Sequence, residues 1–261
     1  MDNNIEIMME KIKEADMILV GIGEEMEMSV SSMKKNQDFL KNYDSLEKEE
    51  WLQPYLYKKY IENHLDNNIV KAYNTLEKIL EGKNYFIVST CIDDYVYKTN
   101  LLQERIVTPC GGFQFWQCEE NCEHKIIKID ENVEKSLYNY LSNRDGENEI
   151  EKPLCEKCKK PLVFNNINAK NYAQEGYEAK WDLYMKWLQG TLNKKLCVIE
   201  LGVGLQFPTV IRWPFEKVVF LNNKACLFRI HSKLFQLTEE LKNKGYSIKE
   251  KPIDFLGNGF V

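Results

Sequence analysis

Apolar residues recur along this chain with two different periods, and their alternation predicts an ordered series of helices and strands. Residues 4–15 place Ile5, Met8, Met9 and Ile12 on one helical face. Met17-Ile18-Leu19-Val20 is uninterrupted apolar sequence, as in a buried strand, and Gly21-Ile22-Gly23 ends it. Residues 29–66 are charged and aromatic, with Trp51, Tyr55, Tyr57 and Tyr60, and read as a helical excursion; Pro54 is expected near a helix start. Over 68–81, Val70, Tyr73, Leu76 and Leu80 return at helical spacing, and Gly82 supplies the stop. Tyr85-Phe86-Ile87-Val88 and Arg105-Ile106-Val107-Thr108 are the next expected strands. A helix around 132–141 precedes the polar loop Asn143-Arg144-Asp145-Gly146-Glu147-Asn148. Trp181, Tyr184, Trp187 and Leu188 then share a helix face, and 196–201 reads as a central strand running into Gly202-Val203-Gly204. Val218-Val219-Phe220-Leu221-Asn222 is expected as the last strand, with Leu234, Leu237 and Leu241 marking a closing helix stopped by Gly245. Strands alternating with helices predict an α/β protein on a Rossmann-like, doubly wound parallel sheet.

Composition narrows the class. The 261 residues are 44% hydrophobic and 12% aromatic, enough for a folded core and too much for a disordered chain. With 35 Lys+Arg against 40 Asp+Glu the net charge is −5, which argues against a general nucleic-acid binder. The apolar stretches fall far short of the ~20 residues that span a bilayer. Met1-Asp2-Asn3-Asn4-Ile5-Glu6 lacks the basic and apolar segments of a secretory signal. The expectation is a soluble cytoplasmic protein with no membrane and no nucleic-acid partner.

In that compartment eight cysteines point to metal or thiol chemistry rather than to a disulfide framework. Cys118-x3-Cys122 and Cys155-x2-Cys158, with 32 residues between them, form two knuckles. Four thiolates on two tight turns suit a tetrahedral, structural Zn²⁺. His124 is the competing ligand nearby. Residues 113–165 are therefore read as an inserted zinc-binding module. Residues 1–112 and 166–261 form the Rossmann-like part, with 29–66 as its helical insertion.

Three strand-to-loop switches gather the candidate chemistry: 21–25, 89–94 and 202–204. Ligands of open parallel sheets bind beyond the carboxyl ends of the strands, and glycines there let the backbone approach a phosphate. A tight turn without a ligand explains a single Gly-x-Gly equally well. Two such turns on two buried strands keep a nucleotide pocket open.

Taken in order, these features resemble the sirtuin family over most of the chain. Gly21-Ile22-Gly23 stands where sirtuins carry their first glycine turn. Ser89-Thr90-Cys91-Ile92-Asp93 looks like the segment lining the nicotinamide end of the NAD pocket. Cys110-Gly111-Gly112-Phe113 sits where His-Gly opens the family's catalytic segment. Leu201-Gly202-Val203-Gly204-Leu205 is similar to the second phosphate turn, and Leu221-Asn222 to the strand end whose Asn holds the adenosine ribose. Glu200-Leu201-Gly202-Val203-Gly204 and 208–215 carry a similarity to bacterial macrodomain-linked (class M) sirtuins. The resemblance implies NAD-dependent ADP-ribosylation of a protein acceptor, with a lipoylated carrier protein as the group's target. It places Gly21, Gly23, Cys91, Ile92, Asp93, Gly202, Val203, Gly204 and Asn222 around NAD, and puts Cys110 with Asp93 in catalytic positions.

The departures are as informative. The three histidines, His64, His124 and His231, all miss the catalytic segment, so ordinary deacetylation is not expected. Cys91 and Cys110 read either as a reactive thiol pair or as small buried fillers. Asp93 either binds ribose or carboxamide or caps the turn that follows it. Arg212 either holds a phosphate or answers a buried anion. Glu24 and Glu25 follow the first turn and, facing a diphosphate at ~4 Å, would repel it by ~4 kcal/mol at an effective dielectric near 20. Facing the cleft they exclude a diphosphate, and the chain is a catalytically inactive relative that binds a nucleotide or protein. Facing solvent they are screened, and NAD can enter.

Overall fold

A parallel sheet has two apolar faces to cover, and the chain supplies helices for both. The structure, a computed structural model, describes residues 2–28, 33–143 and 150–259. The start of the helical excursion at 29–32 and the polar loop from 144 onward lie outside the described residues. Helix α1 (Asp2–Glu14) leads into β1 (Met17–Ile22). The excursion contributes α2 (Gln37–Asp44) and α3 (Gln53–Asn63), and α4 (Asn67–Leu80) returns to β2 (Tyr85–Ser89) and the short β3 (Ile106–Val107). Then come β4 (Gly111–Cys118), β5 (Ile126–Lys128), α5 (Glu131–Ser142) and β6 (Leu162–Asn166). The chain closes through α6 (Glu178–Gln189), β7 (Leu196–Leu201), α7 (Arg212–Leu221), β8 (Cys226–Ile230), β9 (Gly245–Ile248) and α8 (Pro252–Gly259).

Local chemistry sets several boundaries. Asn36, Asp66 and Asp130 cap α2, α4 and α5 by accepting main-chain N–H bonds from the first turn. Pro54 occupies the first turn of α3, where its missing N–H costs nothing.

Among the described residues, the larger sheet has six strands in the order β3-β2-β1-β7-β8-β9, every neighbouring pair parallel. Along β1, Ile18, Val20 and Ile22 face α1, α4 and α8, while Met17 and Leu19 face α6 and α7. Both faces are buried, so the strand reads as continuous apolar sequence. The strand order reverses between β1 and β7, and this is the topological switch point where a crevice opens. Register pairs Ile22 with Leu201, so the two glycine turns leave the sheet side by side.

A smaller antiparallel sheet, β5-β4-β6, lies outside this frame. Its Phe113, Trp116 and Phe164 form one hydrophobic core with Phe39, Tyr55, Tyr57 and Ile61 of the excursion and Leu137 of α5. The excursion thus buries its aromatic face against the small sheet.

Two expectations near the C-terminus are corrected. Residues 218–221 are helix, not strand: Ile211, Phe215 and Val219 recur every fourth position and pack onto the sheet, leaving Phe220 52% and Leu221 64% exposed. The strand is Cys226–Ile230, disguised in the sequence by the charge of Arg229. Leu237 and Leu241 do pack against the α6/α7 face, but through an irregular segment ending in one 3-10 turn, and Gly245 begins β9 instead of stopping a helix.

Candidate functional site

At the carboxyl ends of β1 and β7 the glycine turns press on one another. A Cβ on Gly23 would collide with the main chain of Gly202 and Val203, and one on Gly202 with the backbone and Cβ of Glu25. Gly202 also sits at φ +65, a conformation that favours glycine. These bare surfaces serve turn-to-turn packing. The two acidic residues part company here. The Gly204 N–H donates to Glu24 Oε2 (3.1 Å), while Glu25 turns to the end of β8 and accepts from the N–H (2.9 Å) and hydroxyl of Ser232. Glu25 also lies 3.3 Å from His231 Nδ1. That nitrogen already accepts from the N–H groups of Lys233 (3.0 Å) and Leu234 (3.1 Å), and burial lowers the pKa of the ring, so the contact is not an ion pair.

Beside the turns runs a cleft of about 680 Å³. Glu24, Glu27, Thr90 and Ile92 line it from the sheet edge, Tyr43 and Tyr57 from the excursion, Phe113, Phe164 and Asn166 from the small sheet, and Phe207 from the loop after β7. Glu27 was not among the residues singled out in the sequence. Its carboxyl is raised to about 8, first by burial and then by the charge of Asp93, against the Tyr57 hydroxyl, which is shared between Glu27 Oε1 (2.9 Å) and the Met28 carbonyl (2.8 Å). Asp93 is raised to about 7 by burial and by Asp94, against N–H bonds from Tyr95 and Met28. Its Oδ1 accepts from Tyr95 N (3.1 Å), so Asp93 does cap the following turn. It borders a second cavity of about 280 Å³ with Lys58, Asp94, Tyr97 and Lys98, and Phe113 belongs to both walls.

This carboxyl pair has a thermodynamic signature. Both folded pKa values lie above the ordinary carboxyl range, so the native state holds more protons than the unfolded chain up to about pH 8. The stability contribution is complete below the unfolded carboxyl range at about pH 4, declines above it by at most ~1.4 kcal/mol per pH unit for each proton, and is gone once pH passes 7 to 8. Urea unfolding between pH 6 and 9 is expected to show this decline, and Glu27→Gln to flatten it and to be the more stable protein at pH 9. Identical profiles for the two proteins would refute the assignment.

The cysteines at the site are thiols. Burial, then the charge of Glu27, pushes Cys110 up to about 12. Cys91 lies well above its ordinary value, and its Sγ donates to the Gly23 carbonyl (3.2 Å), pinning β2 to the first turn. Both side chains are buried, and neither lines the cleft among the described residues. Ile92 is on the cleft wall, whereas Gly21 and Val203 are packed into the α7 side of the sheet.

Asn222 is a further correction. It caps the end of α7, and its amide donates to the carbonyls of Thr191 (3.1 Å) and Lys194 (3.0 Å), just before β7. That is the amino edge of the sheet, opposite the crevice. The strand end facing the crevice belongs to His231 and Ser232. Arg212 donates to the carbonyls of Val203 (2.8 Å) and Leu234 (2.6 Å), bracing the second turn from behind. Among the described residues none of the histidines lines the cleft.

The four knuckle cysteines converge in the smaller sheet region. Cys118, Cys122, Cys155 and Cys158 present sulfurs that all lie within 4.8 Å of one another. Cys118 Sγ is 3.3 Å from Cys158 Sγ, and Cys122 Sγ is 3.7 Å from Cys155 Sγ. Tetrahedral Zn²⁺ with Zn–S of ~2.3 Å needs sulfurs ~3.8 Å apart, so this all-thiol cluster could hold a zinc ion. The turns are tightened by left-handed residues Asn121, His124 and Lys159. His124 stays outside the cluster, with its side chain 75% exposed and Nδ1 3.7 Å from Glu175.

The parallel sheet with its switch-point crevice, joined to a small sheet carrying a four-cysteine cluster, is the sirtuin fold. Sir2Tm bound to a propionylated peptide has a TM-score of 0.55 at 13% identity, covering 97% of this chain and 95% of that one. A Sir2 homologue in complex with ADP-ribose also has a TM-score of 0.55 at 13% identity, over 98% and 94% of the two chains. In sequence the chain is 24% identical over 265 residues to a protein ADP-ribosyltransferase of Staphylococcus aureus strain Mu50, covering 94% of this chain and 83% of that relative. It is 26% identical over 147 residues to a probable bifunctional ADP-ribose hydrolase/ADP-ribosyltransferase of Fusarium oxysporum f. sp. cubense, covering 53% of this chain and 24% of that protein. No protein-family model matches the chain. Among the described residues no helix is long and apolar enough to cross a membrane.

Proposed function

We propose that the chain is a cytoplasmic sirtuin-type transferase that moves ADP-ribose from NAD to a protein acceptor, with a lipoylated carrier protein as the acceptor class. The observation that carries this reading is the Glu27–Asp93 pair, whose carboxyls titrate near neutrality beside a cleft at the switch point. The fold and the named Staphylococcus aureus relative support it.

The fit to NAD differs between the two ends of the site. Ile92, Phe113 and Asn166 leave room for a planar base and its ribose, whereas the turn that would meet the diphosphate holds Glu24. NAD brings an ADP-ribosyl group on a neutral leaving group, nicotinamide. The chain's own part is to exclude water with Ile92, Phe113 and Phe207, to hold negative charge on Asp93, and to take the acceptor's proton on Glu27. The Tyr57 hydroxyl orients Glu27 for that step. Cys110 and Cys91 fill space in this scheme, since protonated buried thiols make poor bases. The four-cysteine module holds zinc for stability only. Residues 1–112 with 166–261 form the nucleotide unit and 113–165 the zinc unit.

A second reading, a non-catalytic nucleotide- or protein-binding relative, is favoured by the Glu24 bond to Gly204 N. The two separate in one assay. With NAD labelled in its adenylate and a lipoylated carrier protein as acceptor, transfer predicts labelled carrier with matching nicotinamide release, and a loss of at least ~100-fold in rate for Glu27→Gln, the lower range for a general base. Bound NAD without nicotinamide release would leave the binding-module reading.

A further inference from the structure

We propose that Glu24 is a specificity-determining latch on this cleft: its carboxylate occupies the position a ligand phosphate must take, and a dinucleotide enters only by displacing it. The proposal rests on reading the cleft as a nucleotide site. The free main-chain donor at the end of β7 is Gly204 N–H, and Glu24 Oε2 accepts it at 3.1 Å. A Cβ on Gly204 would land on the Glu24 carboxylate, so the space that glycine leaves open for an anion is filled by an anion of the chain. The neighbouring bare surfaces, Gly23 and Gly202, are closed by main chain and by the Glu25 stem.

Glu25 has a different task. It is held by two groups of Ser232, and its side chain is only 18% exposed, so it braces β1 against β8. Glu24 is exposed and its carboxylate is held by the Gly204 N–H, which makes it the movable member of the pair. The rest of the cleft gives a diphosphate little return, since Glu27, Glu50 and Glu119 face it against Lys170. With the latch in place the cleft favours a ligand that leaves Gly204 untouched, such as a nucleoside carrying a cationic or neutral base. Displacing Glu24 costs one charge-assisted hydrogen bond and frees the donor for a phosphate oxygen.

The test is calorimetric titration of the metal-loaded, full-length protein with NAD and with nicotinamide riboside, for wild type, Glu24→Ala and Glu24→Gln, each checked for native circular dichroism. Glu24→Ala should gain at least about tenfold in NAD affinity, ~1.4 kcal/mol. Glu24→Gln, which keeps the acceptor oxygen and loses the charge, should gain less. Nicotinamide riboside affinity should stay within about twofold across the three, on the same free-energy scale. Equal NAD affinity in wild type and Glu24→Ala would overturn the latch, and so would an equal gain for both ligands. NAD binding that is absent from all three proteins, or that requires Mg²⁺ and weakens in Glu24→Ala, would overturn it as well. The transferase reading fails separately: a gain in NAD affinity without nicotinamide release keeps the latch and removes the transfer.

Discussion

Stripping zinc from the four-cysteine cluster, or replacing Cys158 by Ala, is expected to unfold the small sheet and lower the thermal midpoint by more than ~10 °C, a large shift for a chain of this length. Cys118 is the last residue of β4 and pairs with Leu162 at the start of β6, while the second knuckle is closed by a bridge between Leu154 and Pro161. Beyond the β4–β6 ladder and the Glu119 N–H bond to the Pro161 carbonyl (3.0 Å), the two loops meet through the Cys118–Cys158 and Cys122–Cys155 sulfurs. The consequences travel because Trp116 and Phe164 share their core with Tyr55 and Tyr57 of the excursion. Phe113 and Asn166, on β4 and β6, are walls of the cleft. Loss of metal should thus abolish ligand binding along with the near-ultraviolet signal of the packed aromatics. A chelator-treated protein with an unchanged unfolding midpoint and metal content near zero would contradict the assignment.

Arg229→Ala is expected to cost ~3–5 kcal/mol, the range for breaking a buried ion pair from one side. Arg229 is 1% exposed and reaches Glu200 twice, Nε to Oε2 at 2.6 Å and Nη2 to Oε1 at 3.2 Å. It also donates to Glu216 (2.7 Å) and to the carbonyl of Gln236 (2.8 Å). Glu200 has no exposure, and burial pushes its carboxyl up even against the guanidinium. Without Arg229 that carboxyl must be buried neutral or hydrated by local opening. The pair links β7 to β8 one residue before each strand meets the crevice, in register Glu200 with Arg229. Urea unfolding of Arg229→Ala, Glu200→Leu and Glu200→Leu with Arg229→Met measures the effect. The double variant should recover much of the loss, because replacing a whole buried pair by apolar groups is close to neutral. A single variant as stable as wild type would show that the pair is not buried as described.

Much of the frame was legible because it depends on local pattern. Uninterrupted apolar runs marked β1, β2 and β7 since both sheet faces are covered, and Cys118-x3-Cys122 with Cys155-x2-Cys158 marked a cluster that could hold a metal, since a tetrahedral ion needs ligands on tight turns. The misread segment 218–222 was apolar at consecutive positions, where period alone does not separate a strand from a half-exposed helix. β8 was missed because Arg229 interrupts it, and only Glu200 on the adjacent strand makes that charge tolerable.

The candidate site divides along the same line. That glycine turns, Asp93 and two acidic residues gather at strand ends follows from the order of residues along the chain. Which partners they meet does not. Glu27 and Asp93 are far apart in sequence and become coupled only when β1 and β2 align, and burial, not sequence, raises their pKa values. Glu24 and Glu25 are adjacent and identical in chemistry, yet one closes on Gly204 and the other on Ser232. Local sequence determined most of the elements and the two cysteine knuckles, because propensity and spacing act over a few residues. The tertiary structure decided which donors each carboxylate answers, because long-range hydrogen bonds and desolvation exist only once the strands have been brought together.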